Sequence, residues 1–130
     1  MLELHFAVPM AGAIICTLNT RLDSRMLSTH IIHLKAKILF VDHQLLQLAK
    51  EAITLLNNTE TKPPLLVTIP KLDSFSPSIL VHKYDYESLI QETGDTKFSI
   101  VHPHDECDPI SLNYTSGTTS RPKGVDYFLI

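Results

Sequence analysis

Apolar side chains recur along this chain at intervals that predict helices in some stretches and strands in others. Leu27, Ile31 and Leu34 repeat at i, i+4 and i+7, which is the spacing of a helix with one apolar stripe. Asp23 or Ser24 stands just before the stripe, and either side chain can accept a hydrogen bond from a free N–H of the first turn. The pattern therefore predicts a helix that begins near residue 24.

The next stretch places another helical stripe between two short apolar runs. The runs Lys37–Val41 and Leu65–Ile69 predict strands, and the second is one continuous stretch, as expected for a strand that is covered on both faces. Between them Asp42 can cap a longer helix, which the asparagines at 57 and 58 close. The stripe of that helix comprises Leu45, Leu48, Ala49, Ala52, Ile53 and Leu56. Strand, helix and strand in this order predict a βαβ unit with a parallel sheet.

The N-terminal stretch from Phe6 to Leu18 is apolar apart from Pro9, Gly12 and Thr17. Pro9 fits the first turn of a helix, where its missing N–H is harmless, so we expect a helix that begins near residue 9. Its members would include Ala11, Ala13, Ile14, Ile15 and Leu18. Because these residues are apolar on nearly every side, the helix would be buried in a larger body. The run is too short to span a bilayer and lacks the features of a signal peptide.

Turn-forming and polar residues dominate the chain from residue 70 to residue 109. The segment Pro70–Val81 carries prolines and serines and is expected to be a loop. A short helix is predicted at Tyr86–Thr93, capped by Asp85 and ended by Gly94. Residues 102–109 carry prolines and acids, and we expect them to be exposed.

A strand and a hydroxyl-rich run follow. Ile110, Leu112 and Tyr114 alternate with Ser111 and Asn113, which predicts a strand that leads directly into the run. The chemistry-bearing residues of the run are Thr115, Ser116, Gly117, Thr118, Thr119, Ser120, Arg121, Lys123 and Gly124. Hydroxyls and backbone N–H groups donate to phosphate oxygens, glycines allow close approach, and the cations offset the charge. Because phosphate loops follow strand ends in α/β sheets, we predict a phosphate-binding loop here.

The alternative for this run is an ordinary Ser/Thr/Gly turn between two strands. It is not the GxxxxGK[ST] loop, because Lys123 precedes the second glycine and no Ser or Thr follows it. The preceding strand, together with TSGTT and PKG, favours phosphate binding. Pro122 would stiffen the exit, and Gly124 would allow a backbone geometry that a side chain forbids.

As it stands, YTSGTTSRPKGV resembles the signature of the AMP-forming acyl- and aryl-CoA synthetases, the adenylate-forming ligases that also include luciferases and peptide-synthetase adenylation domains. The stretches HFAVPMAGAIICTLNTRLD, AKILFVD and DPISLNYTSGTTSRPKGV are similar to the plant acyl-activating branch, which includes benzoate- and short-chain-acyl-CoA ligases. The resemblance covers nearly the whole chain up to Val125. It implies an α/β fold that is part of the N-terminal domain of such a ligase, with βαβ units, a mainly parallel sheet and the phosphate loop after the last strand.

The resemblance also implies the chemistry. In the family, a carboxylate attacks the α-phosphorus of Mg-ATP to form acyl-AMP and pyrophosphate, and the thiol of coenzyme A then displaces AMP. ATP, Mg²⁺, coenzyme A and a small-molecule carboxylate are therefore the implied ligands. The residues implied to contact the ATP phosphates and help pyrophosphate to leave are Thr115, Ser116, Gly117, Thr118, Thr119, Ser120, Lys123 and Gly124.

This chain departs from the family in two respects. Ser120 stands where the commonest pattern has glycine, and its side chain reduces the conformational freedom of the loop at that point while leaving its chemistry unchanged. The family's later motifs, including an aromatic-rich motif, an acidic ribose contact, a hinge and a small C-terminal domain with a catalytic lysine, are not found in residues 1–130. We therefore expect residues 1–130 to be one partial N-terminal domain, with no complete catalytic set and no activity of its own.

Composition excludes several other classes. With 44% hydrophobic and 19% charged residues, the chain is typical of a folded globular domain. A net charge of −3 with scattered Lys and Arg does not indicate nucleic-acid binding. Cys16 and Cys107 lie far apart and in dissimilar surroundings, so a disulfide is not expected and a reducing compartment is.

Two further clusters have open alternatives. The stretch from His102 to Asp108 contains ligand types for zinc, but Pro103, the tight spacing and the lack of a second cluster favour a solvated acidic loop and no metal. His30 and His33, three apart on a helix, could face one way, although separate surface or buried positions are commoner.

Three functional hypotheses follow. The first is part of an acyl-CoA ligase, and the second is a module that binds a nucleotide or pyrophosphate through the loop without catalysis. The third is an interaction fragment whose apolar surface associates with a full-length homologue. The expected compartment is the cytoplasm; plant relatives can be peroxisomal, but Tyr127-Phe128-Leu129-Ile130 is not an SKL-type ending.

Overall fold

The computed structural model describes residues 2–57, 59–70, 84–94, 97–115 and 123–128. The chain divides into two compact groups. We call residues 20–95 the central group, and residues 1–19 with 96–130 the terminal group. The expectation that residues 1–130 form one partial domain stays a prediction.

The central group is built on a parallel βαβ unit. Strand β2 (Ile38–Asp42) pairs in parallel with β3 (Leu65–Ile69), with Ile38 opposite Leu65 and Asp42 opposite Ile69. Helix α2 (Ser24–Leu34) precedes β2, and helix α3 (Leu46–Leu56) connects the two strands. The predicted βαβ unit is thus confirmed, with β3 at its predicted residues.

Asp23 and Lys35 set the boundaries of α2, because each forms hydrogen bonds with backbone groups at one end of the helix. Asp23 has extended backbone angles, and its carboxylate accepts the N–H of Met26 at 2.7 Å. At the other end Lys35 takes a left-handed conformation at φ 50°, and its N–H bonds the carbonyls of Ile31 and Ile32. The predicted cap is confirmed, whereas the stop at Lys35 has no glycine or asparagine signal in the sequence.

A short 3₁₀ turn separates β2 from α3. This turn (His43–Leu45) is capped by Asp42, whose carboxylate accepts the N–H of Gln44 at 2.9 Å. Asp42 therefore caps the entry to the helix, as predicted, but it acts on the 3₁₀ turn and α3 itself begins at Leu46.

The buried apolar side chains of the central group come from both helices and both strands. They are Leu27, Ile31, Val41, Ala49, Ala52, Leu56 and Val67. Leu65 on β3 is 40% exposed and Ile38 opposite it is 49% exposed. The expectation that β3 is covered on both faces is therefore wrong for the start of the strand, where both paired side chains are exposed.

Helix α4 (Tyr86–Thr93) also lies in the central group. Asp85 caps it, since its carboxylate accepts the backbone N–H of Ser88 at 3.0 Å and also the Ser88 hydroxyl. Gly94 follows the last turn. The bounds and the cap agree with the prediction, whereas the predicted loop Pro70–Val81 lies almost entirely outside the described residues.

The N-terminal helix differs from the prediction. Helix α1 runs from Leu2 to Met10, so Pro9 lies inside its last turn instead of its first. Gly12, at φ 70°, donates its N–H to the Pro9 carbonyl at 2.8 Å and ends the helix. A left-handed glycine is a helix stop, and this signal outweighs the preference of proline for a helix start.

Helix α1 is also exposed, where a buried helix was expected. Leu2 is 74% exposed and Phe6 is 63% exposed, whereas Leu4 is buried. Residues 15–17, expected in that helix, form strand β1 (Ile15–Thr17).

Three strands make the sheet of the terminal group. Strand β4 (Pro109–Thr115) lies in the middle, parallel to β1 on one side and antiparallel to β5 (Lys123–Phe128) on the other. The strand at 110–114 was predicted, and β5 was not. The described sheets therefore contain two parallel pairs and one antiparallel pair.

Candidate functional site

Strand β4 positions the start of the hydroxyl-rich run. Its alternation of Ser111 and Asn113 with Leu112 and Tyr114 suits a central strand, which is paired along both edges. Thr115 is its last residue and so lies at the carboxyl end of the parallel β1–β4 pair. In α/β sheets this end is where ligands bind.

The two ends of the run are neighbours in the sheet. Thr115 and Lys123 are Cα partners in the β4–β5 ladder, and Tyr114 pairs with Gly124. The predicted phosphate contacts at Ser116, Gly117, Thr118, Thr119 and Ser120 lie outside the described residues, as do Arg121 and Pro122. For Thr115 and Lys123, the structure describes the backbone alone.

Gly124 departs from the geometry expected for it. It lies in β5, outside the left-handed region, and an added Cβ would stand 3.5 Å from the Leu112 side chain. This is an ordinary contact, so the expectation that a side chain is forbidden here is wrong.

A hydrogen bond that the sequence did not predict lies two residues before the run. The Thr17 hydroxyl donates to the side-chain oxygen of Asn113 at 2.7 Å, across 96 positions of sequence, and the pair is part-buried. Thr17 is the last residue of β1 and is the Cα partner of Asn113. Single-sequence reasoning could not find this pair, because it depends on the register of two distant strands.

Cys16 lies close enough to Tyr114 to affect the ionisation of the tyrosine. Burial, followed by the charge that the Cys16 thiol would carry, raises the pKa of Tyr114. Burial also raises the pKa of Cys16. Both groups therefore stay protonated at neutral pH, and neither is an activated nucleophile.

The acidic stretch before β4 is organised by its own carboxylates. Asp108 accepts the N–H groups of His104 at 2.8 Å and of Asp105 at 3.2 Å, and Asp105 accepts the N–H of Cys107 at 2.8 Å. These bonds hold a turn together. Within the described ranges, no group of three metal-ligating side chains comes together.

The two histidines of α2 occupy different environments. His30 is buried, and its Nδ1–H donates to the Met26 carbonyl at 2.6 Å, whereas His33 is exposed. The buried ring of His30 is therefore hydrogen-bonded within α2, and the two rings do not form a pair.

None of the helices in the described part of the chain is both long and apolar enough to cross a bilayer.

Similarity to known proteins agrees with these features. The chain is 46% identical over 125 residues to the probable acyl-activating enzyme 21 of Arabidopsis thaliana, a match that covers 96% of this chain and 22% of that protein. It is 44% identical over 126 residues to the peroxisomal benzoate–CoA ligase of the same plant, covering 95% and 22%. The chain thus spans about a fifth of the length of these relatives.

A solved structure extends the likeness to the fold. The anthranilate CoA ligase AuaEII, crystallised with anthranoyl-AMP, superposes with a TM-score of 0.72 at 27% identity, over 95% of this chain and 22% of that one. The model of the family described as "AMP-binding enzyme" matches residues 1–127. With nearly every residue inside that match, the chain belongs to the AMP-binding enzyme family, the adenylate-forming ligases.

Proposed function

We propose that residues 115–124 bind the β- and γ-phosphates of ATP as one part of an acid–thiol ligase site. In the full reaction, a carboxylate attacks the α-phosphorus of ATP, acyl-AMP forms and pyrophosphate leaves. The coenzyme A thiol then attacks the acyl carbon and AMP leaves. Residues 1–130 supply the triphosphate contacts and do not turn over substrate alone.

The pairing of Thr115 with Lys123 carries this proposal. A hairpin can be closed by two to about five residues. Here residues 116–122 connect the paired positions, which is a longer connection than the reversal requires. This length supports a binding role over a plain turn between two strands.

The donor set of the run suits a polyphosphate. Hydroxyls at Thr115, Ser116, Thr118, Thr119 and Ser120 can donate to phosphate oxygens, and Lys123 supplies an ammonium group. These donors stabilise the charge that builds on pyrophosphate as it departs, which is electrostatic catalysis. Gly117 carries no side chain that could obstruct a bound phosphate.

Magnesium fits this set through the nucleotide phosphates together with hydroxyl groups of the run. Mg²⁺ in proteins is held by one or two carboxylates together with substrate phosphates and water. No Asp or Glu occurs between Tyr114 and Val125, so the residues of the run would hold the ion through the phosphate oxygens and the Ser and Thr hydroxyls. When bound, Mg²⁺ supplies charge neutralisation on the triphosphate.

The other ligands follow the names of the relatives. The matched proteins include a benzoate–CoA ligase and an anthranilate CoA ligase, so we propose coenzyme A as the thiol and a small carboxylic acid as the acyl donor. We further propose the cytoplasm, a reducing compartment, because Cys16 and Cys107 are both free thiols. Targeting of a tagged chain to peroxisomes in plant cells would contradict that assignment.

Calorimetric titration of the chain with Mg-ATP and with Mg-pyrophosphate tests the binding role. We expect both to bind, and Lys123→Ala to weaken both by roughly tenfold or more through the loss of a charged donor. Lys62→Ala removes the same charge from an exposed position in the central group and should leave binding unchanged. Absence of binding, or equal affinities for the Lys123→Ala variant and the unchanged chain, would contradict the proposal.

Carboxylate-dependent ATP–pyrophosphate exchange tests whether residues 1–130 form acyl-AMP without the rest of a ligase. We expect the rate with residues 1–130 to equal the blank. Turnover above the blank would show that these residues hold a complete catalytic set.

A further inference from the structure

We propose that the side-chain amide of Asn113 donates a hydrogen bond to a phosphate oxygen of the nucleotide, and that Thr17 orients this amide. The inference rests on the proposed function and adds two residues to it. Asn113 would be a binding residue, and Thr17 a positioning residue.

The strand register brings the pair together at the edge where ligands bind. Thr17 and Asn113 are Cα partners in the parallel β1–β4 pair, and Thr17 ends β1. Partners in a sheet lie on the same face. Asn113 is therefore at the carboxyl end of the parallel pair, on a strand that is fixed by neighbours on both sides.

The hydrogen bond fixes which end of the amide remains available. Thr17 Oγ1 donates to Asn113 Oδ1 at 2.7 Å, so the oxygen is occupied and the NH₂ group points elsewhere. Within the part of the chain that the structure describes, no other hydrogen bond is assigned to the Asn113 side chain. A part-buried amide with an unused donor gains free energy when a ligand supplies an acceptor.

Asn113 also lies on the same face of β4 as Thr115, the first residue of the run. It stands two residues before Thr115 on β4, so the two positions share a face and are separated by roughly 7 Å along the strand. Its partner on β5 is Val125, two residues after Lys123. We therefore place the amide of Asn113 within reach of a triphosphate that extends along β4 from the paired positions 115 and 123.

A structural role is the alternative, in which the bond merely ties β1 to β4. Asn113→Asp separates the two roles, because a carboxylate still accepts the Thr17 hydroxyl but has no N–H to donate. We expect the thermal midpoint to remain within a few degrees of the unchanged chain. The Kd for Mg-ATP should rise roughly tenfold or more.

The added negative charge of aspartate needs its own control. Ser111→Asp places the same charge on the same strand and face, two residues farther from the run. We expect this variant to change the Kd much less than Asn113→Asp. Asn113→Leu, which adds no charge, should weaken binding to a similar extent as Asn113→Asp.

Thr17 is tested through its hydroxyl. Thr17→Val keeps the shape of the side chain and releases the amide, so the Kd should rise by several-fold. Thr17→Ser retains the donor and should restore the affinity. This rescue is expected only if the hydroxyl acts through Asn113.

The outcomes distinguish the two proposals. If Mg-ATP does not bind, or binds independently of Lys123, the proposed function itself fails. If binding depends on Lys123 but Asn113→Asp and Asn113→Leu bind as tightly as the unchanged chain, only the present inference is overturned. Equal losses in Ser111→Asp and Asn113→Asp would also overturn it, because charge repulsion would then explain both.

Discussion

The central and terminal groups differ in what they bury and in what chemistry they carry. Seven of the eight buried apolar side chains of the described residues lie in the central group, and only Leu4 lies in the terminal group. The phosphate-binding candidates and the Thr17–Asn113 pair all belong to the terminal group. The part of the chain that presents polar donors is therefore held mainly by its strand ladder, and the part with a packed core presents none of them.

The difference follows from the helices. In α2 and α3 the apolar residues form a stripe, so one face packs and the other is solvated. In α1 they are distributed around the helix, and the large ones at Leu2 and Phe6 are exposed. A stripe can be buried by one neighbour, whereas an apolar helix needs several.

The largest effect should come from the core of the central group. Ile31→Ala removes a side chain that is 1% exposed and should lower the free energy of unfolding by about 2–5 kcal/mol. Ile32→Ala changes its 37% exposed neighbour on the same helix and should cost less than about 1 kcal/mol. Urea denaturation followed by circular dichroism measures both free energies of unfolding, and equal costs would contradict a packed core around Ile31.

A smaller effect should come from the glycines of the terminal group. Gly12→Ala places a Cβ at φ 70° and 2.7 Å from Val101 Cγ1, so it should cost about 1–2 kcal/mol from the backbone alone, and more from the clash. Gly124→Ala meets Leu112 at ordinary distance and should change stability by no more than about 0.5 kcal/mol. Amide hydrogen-exchange protection of residues 8–17 and 109–128 measures the loss of stability in each variant. A Gly124→Ala variant as unstable as Gly12→Ala would contradict an ordinary contact between position 124 and Leu112.

The smallest effect should be the pH dependence of α4. The hydroxyl and the backbone N–H of Ser88 both donate to Asp85 and hold the pKa of that carboxyl below its ordinary value. In the unfolded chain the carboxyl takes up its proton at a higher pH, so its contribution is complete above about pH 4 and is lost as the pH falls through the folded-state pKa.

Amide protection factors in residues 88–93, measured at pH 6 and pH 3, should therefore decrease at the lower pH. Asp85→Asn retains a capping oxygen that does not titrate, and its protection should be the same at both pH values. A similar decrease in that variant would assign the effect to other groups.

The central group was predictable because its signals are local. Asp23, Asp42 and Asp85 each cap a turn within three residues of themselves, and the stripes of α2 and α3 can be counted along the sequence. The left-handed Lys35 had no such signal, since its φ is imposed by the end of the helix.

The terminal group was less predictable because distant pairing defines it. Strand β1 has only three residues, and its pairing with the distant β4 is what makes it a strand. Strand β5 begins at Lys123, inside the hydroxyl-rich run, and is defined by its pairing with β4. For the site, the sequence predicts the donors at 115–124 and the strand before them. The Thr17–Asn113 hydrogen bond depends on the register of β1 with β4, which the sequence alone does not give.

The ladder pair Thr115–Lys123 has a consequence for how tightly residues 116–122 can hold an anion. Antiparallel partners stand about 5 Å apart, so folding itself brings the ends of this segment together. Folding therefore already includes the loss of chain entropy on closing this loop. Little of that loss then reduces the free energy of anion binding. Loss of the pairing between β5 and β4 would therefore weaken the proposed anion binding even with every donor of the segment still present.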